Sequence, residues 1–355
     1  MIADSQAGPY RRSMSEHGAN DDARRPVFSR RQLLQGALAG GAVLPGLASG
    51  AEPEAAILDR GDFSLDDIRV RFRCPAAGRP AKLMVLADTH LFRDDERGAP
   101  YREFSGRMAK AYNRTRHFRS DAETDPEACF EETLKVAADE KVDAIVLAGD
   151  LFSFPSEAAV EWVLERLAKC GIPWIYTAGN HDWHYEGMAG SSRELRDAWT
   201  GKSLRPLYQG GHPLMAVREV VGVKVVTLDN STYEILPEQL DFFRKQAAAG
   251  GPLLLCVHIP LHAPGRPVGF GCGHPEWGAK SDDGFTIERR PRWPEAGHNE
   301  VTMAFHREVF ATPGLLGIFA GHIHRASLDV VNGIPQFVAG ANATGAHLLV
   351  EVVPG

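Results

Sequence analysis

The chain has 355 residues, 44% hydrophobic, 24% charged and 8% aromatic, a mixture that excludes a disordered tail or a fibrous repeat. Its formal charge is −7; residues 1–51 carry six Arg against four acidic residues, so the remainder stands at −9, which argues against broad binding to a nucleic-acid backbone. The five Cys, at 74, 129, 170, 256 and 272, have no paired short spacing and point to neither a zinc finger nor a disulfide framework.

In chain order, residues 1–28 are polar and show no hydrophobic period. Ser29-Arg30-Arg31-Gln32-Leu33-Leu34-Gln35 then opens a mild Gly- and Ala-rich run to Ala48, with Pro45 inside it. That run is too short and too weakly apolar for a membrane span. Small residues follow at Ala48-Ser49-Gly50-Ala51. The segment resembles a twin-arginine (Tat) export signal. The resemblance implies passage through the Tat export machinery, cleavage near residue 51, a mature domain over residues 52–355, and a periplasmic or extracellular location. No Cys follows the run, so no permanent membrane anchor is expected.

Residues 82–87, 143–148, 174–177, 223–228, 252–257 and 315–320 are short apolar runs that read as buried strands. Asp125-Pro126 supplies an N-cap and a first-turn proline for a helix to about residue 140. Pro155 and Gly171 bracket a second helix, with Ala159, Val163, Leu164 and Leu167 on one face, and Pro237 and Gly250 bracket a third. Residues 327–353 read as a strand, a turn at Asn332-Gly333, a strand, and a last strand. This alternation specifies a layered α/β core. Two stretches, 92–124 and 263–299, are long and irregular, and loops of that length are commonly functional. Phe270, Trp277, Phe285 and Trp293 predict that the second is packed.

Five of the six runs end directly in metal-type side chains. They are Asp88-Thr89-His90, Gly149-Asp150, Gly179-Asn180-His181-Asp182, His258, and Gly321-His322-Ile323-His324. Ligands of open α/β sheets gather at the carboxyl ends of strands, so residues distant in sequence can converge there. Each alone has a plainer reading: Asp88 or Asp150 as a helix N-cap, His258 as a core histidine, His322 and His324 as turn residues. As a set, Asp, His and an Asn carbonyl suit Mn, Fe or Zn in five- or six-coordinate geometry. A carboxylate can also bridge two cations about 3.5–4 Å apart.

In this order, the five blocks resemble the calcineurin-like metallophosphoesterase superfamily over roughly residues 82–345. The resemblance implies an α/β fold built as a four-layer α/β/β/α sandwich with two mixed β-sheets. It also implies two divalent metal ions (Mn, Fe or Zn) and hydrolysis of a phosphoester by a metal-bridging hydroxide. Asp88, His90, Asp150 and His324 would hold one metal; Asp150, Asn180, His258 and His322 would hold the other. His181 would be general acid, or a hydrogen-bond donor to the transition state. Many members carry an Asp three residues after the shared one, paired with the catalytic His. Here that position is Ser153, which also departs from the ligating Tyr of purple acid phosphatases. Asp182 is then the candidate to orient His181.

A phosphodiesterase is the favoured expectation, because Gly-Asn-His-Asp and the core size resemble the cyclic-nucleotide phosphodiesterase branch. A phosphomonoesterase and a pyrophosphate-bond hydrolase are the alternatives on the same site. A non-catalytic metal-bearing binding protein is the alternative of another class. The expected partner is a phosphoester substrate and not nucleic acid. Among candidate substrate contacts, His184 and Tyr185 either face substrate or cap the next element. Arg325 either touches phosphate or is solvated, and so do Arg266, Arg289, Arg290 and Arg292 of the second long stretch. His262 either supports His258 or stands apart from it.

Overall fold

The parallel strands that carry the five blocks lie in two sheets, and their carboxyl ends meet at one edge. The computed structural model describes residues 61–355; the candidate export signal lies outside them. In chain order the strands are β1 (Asp62–Asp66), β2 (Arg69–Cys74), β3 (Ala81–Leu86), the two-residue β4 (Thr115–Arg116) and β5 (Glu123–Thr124), β6 (Ala144–Ala148), β7 (Trp174–Thr177), β8 (Met215–Val220), β9 (Val223–Leu228), β10 (Leu253–Cys256), β11 (Leu315–Ala320), β12 (Ser327–Val331), β13 (Ile334–Val338) and β14 (Leu348–Pro354). The helices are α1 (Arg102–Ala111), α2 (Pro126–Asp139), α3 (Glu157–Cys170), α4 (Ser192–Thr200), α5 (Pro237–Ala248), the single turn α6 (Phe285–Glu288) and α7 (Glu300–Val309).

One sheet has the order β1-β2-β14-β3-β6-β7 and the other β12-β13-β11-β10-β9-β8. Both are mixed: β3, β6 and β7 run parallel in the first and β9, β10 and β11 in the second, with antiparallel pairs such as β14–β3 and β8–β9 beside them. Strand β6 shows why the central runs are apolar throughout. Ala144, Val146 and Ala148 face the core between the sheets, while Ile145 and Leu147 face the helices on the other side. A strand covered on both faces loses the alternation of a half-exposed one.

Between the sheets Phe72 meets Phe319 and Phe337 edge-on, at ring distances of 6.3 and 6.1 Å. Phe130, Val163 and Leu167 of α2 and α3 cover the first sheet, and Phe243 and Phe305 of α5 and α7 cover the second. These are the four α/β/β/α layers. The helix ends follow their sequence signals. Asp125 caps α2 by accepting from Ala128 N at 2.9 Å with Pro126 in the first turn, and Gly171 ends α3 in a left-handed conformation.

Residues 92–124 contain α1 and the β4–β5 ribbon, so they are more regular than the sequence suggests. Residues 263–299 are packed, as their aromatic content predicts: Trp277 is 2% exposed and stacks on Trp293 at 4.6 Å and on His298 at 4.0 Å. Among the described residues no helix is long and apolar enough to cross a membrane.

Candidate metal centre

Each strand end is followed by a sharp turn that places its side chain at the common edge. Asp88, His90, Asp150, His322 and His324 all have positive φ, between 50° and 70°. Left-handed backbone costs a non-glycine residue on the order of 1–2 kcal/mol, and such strain concentrates at functional sites. The neighbouring glycines admit close approach: a Cβ on Gly179 would collide with Asp150 Oδ1. Hydrogen bonds tie the two sheets together here. His322 N donates to Asp88 Oδ2 at 2.9 Å, and His258 Nδ1 donates to Ala148 O at 2.9 Å.

Asp88, His90, Asp150 and His324 each offer a ligand atom within 4.8 Å of the others, and so do Asp150, His258 and His322. Asp150 belongs to both groups. His90 Nε2 and His324 Nε2 lie 2.9 Å apart, and the latter is 3.4 Å from Asp88 Oδ1. His258 Nε2 is 3.1 Å from Asp150 Oδ2. Asn180 Oδ1 is a buried lone-pair atom without a hydrogen-bond partner among the described residues. Stranding such an atom is costly unless an electron-pair acceptor meets it. With carboxylate and amide oxygens and imidazole nitrogens together, this donor set fits divalent transition metals.

The electrostatics agree. Although burial opposes it, His258 and His181 hold the Asp150 carboxyl well below the usual range. Burial pushes His90 and His322 well below the ordinary histidine value, so they are neutral imidazoles. For His258 burial acts downward, but Asp150 outweighs it and raises the imidazole to about 10. That proton leaves when the ring ligates, which makes metal and proton competitors at this site.

Two tyrosines that no sequence pattern singled out touch the cluster from outside. Tyr112 stacks on His90 at 4.0 Å, and its hydroxyl is 3.3 Å from His324 Nδ1. The Tyr233 hydroxyl is 2.6 Å from His322 Nε2. Each bond occupies the outer ring nitrogen and leaves the inner one for the centre. Asn230, just after β9, accepts from His258 N at 3.2 Å and Ile259 N at 2.9 Å and so fixes the His258 turn. A sixth strand end, Asp229-Asn230, was the signal for it in the sequence.

His181 lies outside both ligand groups. Its backbone N–H donates to Asp150 Oδ1 at 2.8 Å, and its half-buried side chain lines a cavity of about 310 Å³ with Tyr112, Ser153, Asn180, His322 and His324. Arg107, Glu186 and Glu288 form the cavity's charged wall, with Arg107 paired to Glu186. Ser153 Oγ donates to His90 O at 3.0 Å.

Two sequence expectations, on Asp182 and Arg266, need correction. Asp182 does not orient the His181 ring: its carboxylate accepts from Phe152 N (2.9 Å), Gly179 N (2.8 Å) and Tyr176 Oη (2.9 Å). It braces the turn that presents Asn180 and His181. Burial, with repulsion from Asp150, raises its carboxyl to about 7. Arg266 is bound to Asp329 at 2.9 Å and lies over Phe270, so its charge is spent away from the cluster. Arg325 is exposed and lines neither cavity beside Asn180. His262 packs on His274 at 4.3 Å, apart from the centre. His184 is buried and lines a second, smaller cavity.

Removing the Asp182 brace should cost stability more than chemistry. Asp182→Ala leaves three buried donors without an acceptor, at about 1–3 kcal/mol each. A thermal unfolding midpoint equal to wild type would contradict the bracing role.

The calcineurin-like phosphoesterase family model matches residues 81–326. The chain belongs to that family. No curated protein matches it. Similar solved structures include a dimetal phosphatase from Danio rerio, 11% identical over 76% of this chain and 91% of that one, with a TM-score of 0.46. Another is a purple acid phosphatase from yellow lupin (Lupinus luteus), 12% identical over 78% and 46%, TM-score 0.43. A third is a phosphopantetheinyl hydrolase from Mycobacterium tuberculosis, 13% identical over 75% and 91%, TM-score 0.35. As a calcineurin-like phosphoesterase, this chain carries its Asp and His cluster where a dinuclear divalent metal site is implied.

Proposed function

We propose that the protein is an exported hydrolase of phosphodiesters that uses two divalent metals, Mn, Fe or Zn. The observation that carries the reading is the convergence of Asp88, His90, Asp150, Asn180, His258, His322 and His324 around a shared carboxylate, with His181 beside them on an open cavity. Bound there, two such cations supply Lewis acidity toward a phosphoryl oxygen and make water nucleophilic at neutral pH.

The chain's own groups do the rest. Asp150 and Asp88 anchor the centre, and Asn180 and the four histidines complete it. His181 donates a proton to the departing ester oxygen. The diester reading follows the resemblance of Gly-Asn-His-Asp and of the core size to the cyclic-nucleotide phosphodiesterase branch. Chelation followed by return of Mn, Fe or Zn, assayed with methyl p-nitrophenyl phosphate and p-nitrophenyl phosphate, tests this. Metal-dependent turnover should favour the diester, and metal-independent turnover, or none on either ester, would refute the reading.

Tyr112 and Tyr233 support the ligands through His324 and His322. Tyr112→Phe and Tyr233→Phe are each expected to weaken metal binding about 10–100-fold, measured by chelator competition. Wild-type affinity in both would remove them from the centre.

Export rests on the Arg30-Arg31 segment and the weakly apolar run after it. The mature N-terminus recovered from the exported fraction should lie near residue 51, and replacing both arginines by Lys should retain the chain in the cytoplasm. Export undiminished by that replacement would rule out the twin-arginine route.

A further inference from the structure

Two cavities meet at the metal centre, and Asn180 and Glu288 line both. The larger is the one that contains His181. The smaller, about 40 Å³, is walled by Trp183, Tyr233 and Trp293, with His184 among them. Its narrow space between those rings suits a short group better than a nucleoside or aryl group.

Of the polar groups around the smaller cavity, Ser231, Arg290 and Tyr233 are engaged elsewhere, and Asn180 is assigned to the metal. Ser231 Oγ accepts from Trp183 Nε1 at 2.8 Å and donates to Asp229. Arg290 is held by Asp282 at 2.7 Å and by Glu288, so it offers no free charge to a phosphate. Tyr233 is bonded to His322. His184 is 6% exposed, and no described residue hydrogen-bonds its ring. Burial pushes it down to about 3, leaving a neutral imidazole with one donor and one acceptor.

We propose that this cavity is the subsite for the ester arm that stays on phosphorus, and that it accepts a short, uncharged hydroxyalkyl group whose hydroxyl bonds His184. The inference rests on the phosphodiesterase reading. The departing arm lies on the other side because His181, its proton donor, lines the larger cavity and not the smaller. In the step, a water oxygen bonds to phosphorus. The bond from phosphorus to the departing arm breaks with its electron pair on oxygen, which takes the His181 proton, while the water releases one. The products are the larger alcohol and a hydroxyalkyl phosphate.

Benzyl 2-hydroxyethyl phosphate and dibenzyl phosphate, each given to the metal-loaded enzyme, test the subsite. The first should show kcat/KM at least about tenfold higher, a discrimination typical of one buried polar contact and a steric limit. Its products should be benzyl alcohol and 2-hydroxyethyl phosphate. Equal kcat/KM on the two esters, or release of ethylene glycol, would overturn the proposal. His184→Phe fills the cavity and should abolish the preference, and Trp293→Leu enlarges it and should raise turnover of dibenzyl phosphate. Trp183 and Trp293 give a readout without turnover: 2-hydroxyethyl phosphate should change tryptophan fluorescence saturably in wild type and not in His184→Phe. The same titration in both proteins counts against the site. If the metal-loaded enzyme turns over no diester, the phosphodiesterase reading fails and the subsite fails with it.

Discussion

Asp150→Ala is expected to remove both metals and at least about 10⁴-fold of kcat/KM, or roughly 5.5 kcal/mol of transition-state stabilisation. Asp150 alone belongs to both ligand groups, and it also accepts the His181 backbone N–H at 2.8 Å. Its loss takes the shared anion from the centre and leaves the buried His258 Nε2 without the carboxylate now 3.1 Å away. Metal per chain after dialysis, read with kcat/KM on a diester, checks this, and circular dichroism confirms that the variant is folded. Two metals retained in a folded, active variant would contradict the shared role.

His181→Ala should behave in the opposite way toward metal. It lies outside both ligand groups, so two metals stay bound while kcat falls about 10²–10⁴-fold, the usual worth of a positioned general acid. The loss should be largest for alkyl leaving groups, which need a proton, and small for p-nitrophenyl esters, whose phenolate departs without one. Equal losses on both kinds of ester would remove His181 from proton transfer and leave it only a binding role.

These two residues were legible in the sequence because both follow buried strands, and a run such as 143–148 is apolar throughout when helices and a second sheet cover it. The helix ends at Asp125-Pro126 and Gly171 were legible for a related reason: caps are local chemistry. Strand β8 was not, since Arg218 and Glu219 interrupt its apolar pattern at a half-exposed sheet edge. Helix α4 was hidden by its polar sequence, although the capping box of Ser191 and Glu194 marks its start.

The outer supports were the hardest to read. Tyr112 reaches His90 from the end of α1, in a charged stretch without a motif, and only folding brings the two together. Asp182 shows the converse. Adjacency to His181 suggested a partner for that ring, but in a tight turn a short carboxylate reaches backbone N–H groups first, here Gly179 and Phe152. The Arg residues of 263–299 misled for want of partners in view: Arg266 and Arg290 each found a carboxylate, Asp329 and Asp282.

The most direct test of the centre is a crystal of the chain grown with Mn²⁺ and measured across the manganese absorption edge. Two anomalous peaks about 3.5–4 Å apart, with the Asp150 carboxylate between them and His181 bonded to neither, are the expected result. A single peak, or two that Asp150 does not join, would contradict the shared two-metal centre on which the proposed chemistry rests.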